Sequence, residues 1–320
     1  MTKVLAKFPS RGQVRSKTRK ILIKTVLFLK KYVKTVAHLA HSSMNRFDYQ
    51  RVNRDVYDNM ATAQNPLCRP ATDAELANPL QTVDAAGWLG KSIAGKQVLC
   101  LAAGGGRQSS LYAAAGAEVT VIDISPAMLE LDRRVAAQRN FSLRVFETTM
   151  EDLSMLAASS FDIVIHPVST CYVPDIGKVF QQVARVTRPG GVYVSQHKQP
   201  GSLQASTDRH PDGGYRIEHR YYRDNPVPPP KQMTKNTGRL RESGAIEYLH
   251  RWEQIIGGMC QSGFVIEALS EPRHDQAGPS SPFADRASFV APYVRIKARR
   301  IANPINAPGG NRDSTPKLIL

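Results

Sequence analysis

A short apolar run that leads into three consecutive glycines is the feature that most constrains the fold of this chain. Residues 97–101 (QVLCL) predict a buried strand, residues 102–106 a turn, and residues 107–115 a helix. A second β-branched strand, residues 118–122, follows and ends in Asp123. Because runs of this kind alternate with helical patterns over residues 95–200, the sequence predicts βαβ units around a parallel sheet.

The glycine turn between the first strand and its helix is typical of a nucleotide site. Glycine lets the backbone approach a ligand that a Cβ would exclude, and the start of the helix adds unpaired N–H groups. The Asp123 carboxylate is placed to accept both hydroxyls of a ribose. Its alternative role is the N-cap of the next helix, which Ser125 before Pro126 would also fill. A dinucleotide fingerprint needs Gly or Ala at the position of Arg107, so the sequence disfavours NAD.

Five motifs, in the right order, resemble those of the class I S-adenosylmethionine-dependent methyltransferases of the small-molecule type. They are VLCLAAGGG at 98–106, VTVIDISPAML at 119–129, FDIVIHPVSTCYVPD at 161–175, RVTRPGGVYV at 185–194, and the pair SGFVIEALSEP at 262–272 with the strand SFVAPYVRIKARR at 288–300. The resemblance covers about residues 54–300. It implies an α/β fold with a Rossmann-like, doubly wound, mainly parallel seven-stranded sheet and an antiparallel edge strand. It also implies a methyltransferase whose cofactor is S-adenosylmethionine.

Three positions depart from the family pattern. Cys100 stands where the family usually has an acid that orients the methionyl amino group, and Thr149 where an acid accepts from the adenine amino group. Ala102 replaces the first glycine, a change that a backbone with negative φ tolerates. The cofactor contacts expected from the resemblance are Ala102, Gly104, Gly106, Asp123, Met128, Met150, Glu151 (or Asp152) and His166.

Candidate catalytic residues follow the fourth and fifth strands. Methyl transfer is a displacement at a sulfonium carbon, so the protein mainly positions donor and acceptor, and a protonated acceptor also needs a base. His166 and His197 are candidate bases because a histidine pKa near 6.5 suits neutral pH. For each histidine the alternative is a capping or core hydrogen bond. Tyr172 is expected to pack against the cofactor rather than to ionise.

Aromatic residues near the same edge are candidates for the substrate site. Tyr57 in the lead-in helix, Tyr221 in a predicted insertion, and His250 and Trp252 after it are expected to line a wall or lid. The alternatives are surface aromatics or an oligomer contact, and plain helix packing for Tyr57. The turn after the fourth strand lacks both the Asp/Asn-Pro-Pro-aromatic sequence of base-amine methyltransferases and the Pro-Cys pair of cytosine-5 enzymes. A small-molecule acceptor is therefore predicted.

The formal charge of +16 is concentrated at the two ends of the chain. Residues 1–43 hold eleven Lys and Arg and no acid, whereas residues 44–294 hold 26 groups of each sign. Apolar residues in the first segment follow a helical stripe, namely Leu22, Val26, Leu29, Val33, Val36 and Ala40. This basic amphipathic arm suits contact with RNA or an anionic membrane surface. Its alternative is a targeting segment, or an extension upstream of a start at Met44.

The segments predict a basic arm at 1–43, a helical lead-in or lid at 44–94, a methyltransferase core at 95–300 with an insertion at 201–244, and a disordered tail at 301–320. Lysines interrupt the apolar run of the arm before the roughly 20 residues that a membrane span needs, so no transmembrane segment is predicted. The four cysteines form no C-x-x-C pair, which fits a reducing cytoplasm and predicts no metal site. An RNA-directed methyltransferase that uses the arm and a non-catalytic S-adenosylmethionine-binding module remain alternative functions.

Overall fold

The computed structural model describes residues 49–230, 240–277 and 281–302. The chain divides into two units, Met1–Tyr49 and Gln50–Leu320, and the following description concerns the second. The predicted basic arm at 1–43 lies outside the described residues, and so do residues 303–320 of the tail predicted at 301–320.

Seven strands form one sheet. They are β1 (Gln97–Leu101), β2 (Glu118–Asp123), β3 (Leu143–Glu147), β4 (Phe161–His166), β5 (Thr187–Lys198), β6 (Phe264–Ser270) and β7 (Tyr293–Arg300). Their order is β3-β2-β1-β4-β5-β7-β6. Strands β1 to β5 pair in parallel, and β7 runs antiparallel to both β5 and β6. The predicted Rossmann-like fold class is confirmed, and its antiparallel strand, β7, lies beside the edge strand β6.

Nine α- or π-helical segments accompany the sheet in the described residues, besides three 3-10 helices, Pro66–Cys68, Thr170–Tyr172 and Asp275–Ala277. The nine are α1 (residues 49–62), α2 (Asp73–Ala77), α3 (Pro79–Val83), α4 (Arg107–Ala114), α5 (Pro126–Arg139), α6 (Ile176–Val186), α7 (Pro200–Gln204), α8 (a π-helical turn Glu253–Gly257 continued by Gly258–Gln261) and α9 (Pro282–Phe289). No helix among the described residues is long and apolar enough to cross a membrane.

The predicted strand at 288–300 is too long. Residues up to Phe289 belong to α9, which Ser281 caps by accepting a hydrogen bond from the Ala284 N–H and which Pro282 begins. Serine before proline is a helix start signal, and it takes precedence over the β-branched residues that follow. Strand β7 begins only at Tyr293.

The sheet is buried on both faces. In β1, Val98, Leu99, Cys100 and Leu101 are all fully buried, as expected for a strand covered on both sides. Over β5 lies α6, whose Phe180 ring packs edge-on against the ring of Tyr193 at 6.2 Å between centroids. This packing fixes the position of β5. The carboxyl end of β5 belongs to the edge of the sheet at which ligands bind in open α/β folds.

We predict that Phe180→Ala lowers the free energy of unfolding by about 3–5 kcal/mol, because the buried ring leaves a cavity between α6 and β5. Phe289→Ala is the matched control, since that ring is 55% exposed and its loss should change the same quantity by about 0.5 kcal/mol. Denaturant unfolding measures both. Equal losses for the two variants would contradict the assignment of α6 to the core.

Candidate active site

The glycine turn after β1 is held by two buried carboxylates. The Gly104 N–H donates to Asp123 Oδ2 at 2.9 Å. The N–H groups of Gly105 and Gly106 donate to Asp132 Oδ2 and Oδ1, at 2.9 Å and 3.1 Å. The N–H groups of these three glycines are therefore already paired with side chains of the protein.

Ala102 adopts a left-handed backbone, with φ of +47°. The expectation of a negative φ at this position is therefore wrong. A residue with a Cβ costs roughly 1–2 kcal/mol in this conformation. The strain persists because the hydrogen bonds to the following three glycines fix the path of the turn.

Asp123 lies at the end of β2, where its other oxygen, Oδ1, accepts from the Ser125 N–H at 2.9 Å. The N-cap of α5 is Ser125, whose Oγ accepts from the Met128 N–H at 3.1 Å, so Asp123 does not have that alternative role. Burial raises the pKa of Asp123, and the backbone N–H groups lower it in part. Each carboxylate oxygen keeps a second lone pair that suits a hydroxyl donor.

The turn is packed closely against α5. A Cβ on Gly104 would lie 2.8 Å from the Met128 Cβ, so only glycine fits there. Met128 also belongs to a small apolar cluster with Ala61 of α1 and with Cys68. Cys100, by contrast, points into the sheet core, where burial raises the pKa of its thiol.

Helix α1 contacts the loops that end β2 and β3. Asp58 Oδ1 accepts from Ser125 Oγ at 2.5 Å and from the Ala127 N–H at 3.1 Å. In the loop after β3, Glu151 accepts from Gln50 Nε2 at 3.3 Å. Asp152 is exposed and accepts from the Ser154 N–H instead, so the link from this loop to α1 comes through Glu151.

The same loop contains Thr149 and Met150, both half-buried. Thr149 Oγ1 accepts from the Glu151 N–H at 3.2 Å. This hydroxyl therefore stabilises the loop that contains Met150 and Glu151, two of the expected cofactor contacts.

A chain of polar groups connects α1 with the turn after β4 and with the insertion. The Tyr57 hydroxyl donates to the Tyr172 hydroxyl at 2.9 Å, and Tyr172 donates to Glu242 Oε2 at 2.6 Å. Lys198 Nζ, at the end of β5, donates to the same Glu242 oxygen at 2.8 Å and also to Glu247. We call these five residues the tyrosine–lysine network.

The network is charged at one end and neutral at the other. Burial would lower the pKa of Lys198, but the nearby Glu242 carboxylate raises it above its usual range. Burial would likewise raise the pKa of Glu242, but Lys198 holds it below its usual range. Burial raises the pKa of Tyr57 and of Tyr172, so both phenols stay protonated.

An open cavity of about 340 Å³ lies beside α1. It is lined by Val56, Asn59, Met60, Ala63, Asn65, Leu67, Glu242 and Ser243. Among the described residues, Glu242 is the one charged group on its wall, and it also belongs to the tyrosine–lysine network.

The two predicted bases are buried at the ends of β4 and β5. His166 Nδ1 lies 2.8 Å from the Tyr193 hydroxyl, and its Nε2 has no hydrogen-bond partner among the described residues. His197 uses both ring nitrogens, with Thr170 Oγ1 and Ser195 Oγ each at 2.8 Å. Burial lowers the pKa of His166 to about 3 and that of His197 well below its usual range. The geometry favours the hydrogen-bonding alternative for His197.

The predicted substrate residues divide into two groups. Tyr57 lies with Tyr172 in the network. His250 is buried, and its Nε2 lies 3.0 Å from the carbonyl oxygens of Thr170 and Val173, where it supports the turn after β4.

Tyr221 accepts from the Trp252 N–H at 3.2 Å. Its ring packs against an apolar cluster of Leu203, Val227 and Leu249. These two aromatic residues therefore support the insertion.

Sequence reasoning assigned no role to Asp58, Asp132, Arg241, Glu242 and Glu247. Asp132 had a signal, since it falls on the buried stripe of α5 between Met128 and Val135. Arg241, which pairs with the buried Glu247, belongs to no motif. In the described part of the chain, no group of three or more His, Cys, Asp or Glu side chains is arranged to hold a metal ion.

Comparisons with known proteins agree with this geometry. Residues 99–195 match the family model described as a methyltransferase domain. The uncharacterized methyltransferase YbaJ of Bacillus subtilis is 32% identical over 181 residues, which cover 57% of this chain and 70% of YbaJ. A ubiquinone biosynthesis O-methyltransferase of Hahella chejuensis is 36% identical over 99 residues, 31% of this chain and 42% of that protein.

An S-adenosylmethionine-dependent methyltransferase structure from Mesorhizobium loti has the same fold, with a TM-score of 0.56 at 21% identity over 70% of this chain and 100% of that one. This chain belongs to the class I S-adenosylmethionine-dependent methyltransferases, and S-adenosylmethionine is its cofactor. The site fits that cofactor, because the turn excludes a Cβ at Gly104 and Asp123 keeps acceptor capacity for a ribose.

His250 should make stability depend on pH. Burial lowers its folded pKa to about 4, whereas the unfolded value is about 6.5. The unfolded state binds more protons in this window. The contribution of His250 to the free energy of unfolding is therefore fully present above about pH 6.5 and is lost as the pH falls toward 4. Relative to His250→Gln, the wild type should lose about 1 kcal/mol per pH unit across that window.

Urea unfolding of both proteins at several pH values measures the difference. The contributions of His166 and Asp132 are common to both proteins and cancel. A difference that stays constant from pH 7 to pH 4 would show that His250 is not held neutral by the fold.

Proposed function

We propose that this chain transfers the methyl group of S-adenosylmethionine to a small-molecule acceptor that enters the cavity beside α1. The observation that supports this most strongly is the position of Glu242, which is on the cavity wall and accepts from Tyr172 at the carboxyl edge of the sheet. The cavity thus meets the edge of the sheet at which the donor-binding turn also lies.

On the donor side, Asp123 would accept from the ribose hydroxyls. The adenine ring would lie against Met150, and the Glu151 carboxylate would accept from its amino group. Ala102, Gly104 and Gly106 would allow close approach of the donor, Met128 would pack against it, and His166 would lie at its reactive end. When bound, the cofactor supplies an electrophilic methyl group on a sulfonium. The protein then has to orient that group and exclude water.

On the acceptor side, the electrostatics disfavour a nucleic acid. Glu242 on the cavity wall, Asp58 on α1 and Glu151 in the loop after β3 would repel a phosphate backbone, which proteins bind with Lys and Arg. An uncharged or cationic molecule with an apolar body suits the lining of Val56 and Met60. Relatives named ubiquinone biosynthesis O-methyltransferase support an oxygen acceptor.

We assign removal of the acceptor proton to neither of the two predicted bases, because burial lowers the pKa of both. Burial lowers the pKa of His166 to about 3, so this ring is a weak base, and it lines a different cavity, beside α3 and α4. As the acceptor oxygen bonds to the methyl carbon and the carbon–sulfur bond breaks, the acceptor proton would pass to solvent through the open cavity. Tyr172, a protonated phenol, would instead orient the acceptor.

The donor assignment can be tested on Asp123→Asn. The amide removes a charged acceptor, which is worth about 1.5–3 kcal/mol when hydrogen-bonded, so the Kd of S-adenosylhomocysteine should rise roughly tenfold or more. The matched ligand is its 2′,3′-dideoxy analogue, whose affinity should change little. Calorimetric titration measures both. Equal losses for the two ligands would show that Asp123 supports the turn but does not bind the ribose.

The acceptor class can be tested with methyl-labelled S-adenosylmethionine and cell extract. We expect the label in the small-molecule fraction, insensitive to ribonuclease and unchanged when residues 1–43 are deleted. Mass spectrometry then identifies the product. Label in RNA that requires residues 1–43 would favour the RNA-directed alternative. Binding of S-adenosylmethionine without labelled product in any fraction would favour a non-catalytic module.

A further inference from the structure

Asp132 is a buried carboxylate that the proposed reaction does not use. It is fully buried on the inner side of α5. Its two oxygens accept from the N–H groups of Gly105 and Gly106, and Ser109 Oγ also donates to it. All three donors belong to the glycine turn or to the first turn of α4.

The carboxylate occupies the place at which a helix start binds an anion. Gly106 is the N-cap of α4, an eight-residue helix, and the first N–H groups of a helix attract a phosphate through their hydrogen bonds and the helix dipole. Here the carboxylate of Asp132 accepts from the N-cap Gly106 and from Gly105 immediately before it, so a protein anion already lies at the entrance to this helix start. A phosphate at this turn would have to displace it and would be repelled by its charge.

The turn also needs an external anchor. Ala102, Gly105 and Gly106 all have positive φ, at +47°, +113° and +78°. Alanine disfavours a positive φ, so the local conformational preference of Ala102 does not hold the backbone in this shape. Hydrogen bonds from three donors to one rigidly buried carboxylate provide the constraint.

We propose that Asp132 is a positioning and specificity residue, which holds the glycine turn in the shape that receives the donor and closes it to cofactors that bind through phosphate. This inference rests on the donor side of the proposed function. S-adenosylmethionine carries no phosphate, so a turn filled by a protein carboxylate suits it, whereas a dinucleotide would lose its main anchor.

The proposal predicts that donor affinity depends on pH. Burial raises the pKa of Asp132 to about 7, and the hydrogen bond from Ser109 and those from the two glycines lower it in part. The other titratable groups that face it are Asp123, which raises its pKa, and the neutral thiol of Cys100. Protonation converts one acceptor oxygen into a donor facing an N–H or O–H group. Affinity for the donor should therefore fall as the pH drops through about 7.

The test is calorimetric titration of the full-length chain with S-adenosylhomocysteine between about pH 6 and pH 8.5. Asp132→Asn should raise the Kd roughly tenfold at the upper pH and give a flat pH profile. Asp162→Asn is the matched control, because Asp162 Oδ2 accepts from the Gln97 N–H at the opposite end of β1. Its Kd and pH profile should follow those of the wild type.

Two further variants test the halves of the proposal separately. Ser109→Ala removes a hydrogen bond that lowers the pKa of Asp132, so the midpoint of the affinity profile should move to higher pH. Asp132→Ala should gain measurable affinity for ADP, which the wild type should lack.

The outcomes are distinguishable. Wild type that fails to bind S-adenosylhomocysteine contradicts the proposed function itself. Wild-type binding with an unchanged Kd and pH profile in Asp132→Asn overturns the positioning role. If Asp132→Asn fails to fold, Ser109→Ala decides: a pH profile of donor affinity with the same midpoint as the wild type overturns the positioning role. No gain of ADP affinity in Asp132→Ala overturns the specificity role.

Discussion

Two buried carboxylates that converge on one backbone turn determine how this methyltransferase can bind its donor. Asp123 comes from the end of β2 and Asp132 from α5, and together they bind the N–H groups of three consecutive glycines after β1. The turn therefore depends on the correct placement of β1, β2 and α5 relative to one another. Its strain at Ala102 and its electrostatic character both follow from these hydrogen bonds.

Helix α1 connects the donor side of the site to the acceptor side. Two consecutive residues of this helix contact different parts of the edge: Asp58 contacts Ser125 at the start of α5, and Tyr57 contacts Tyr172 after β4. Any displacement of α1 would disturb both contacts. The tyrosine–lysine network extends the second contact to Glu242, which lines the cavity together with residues of α1.

The sequence predicted the parts of the molecule that depend on local patterns. The strands around the glycine turn and the N-cap role of Ser125 depend on residues close together in the chain, and the structure confirms both. Asp132 was missed although an acid on the buried stripe of α5 is unusual, because acids in helices are mostly solvated. The pairing of Lys198 with Glu242, 44 residues later, requires the tertiary fold and has no local signal. The hydrogen bonds from Gly105 and Gly106 to Asp132 also have no local signal, because the carboxylate lies in another element.

The most direct test of this account is a crystal structure of the chain with S-adenosylhomocysteine bound. We predict that Asp132 keeps its hydrogen bonds to the Gly105 and Gly106 N–H groups, while the ribose hydroxyls lie within hydrogen-bond distance of Asp123. A structure in which the ligand carboxylate displaces Asp132 from those N–H groups would contradict the central claim that the protein itself fills the anion position of the turn.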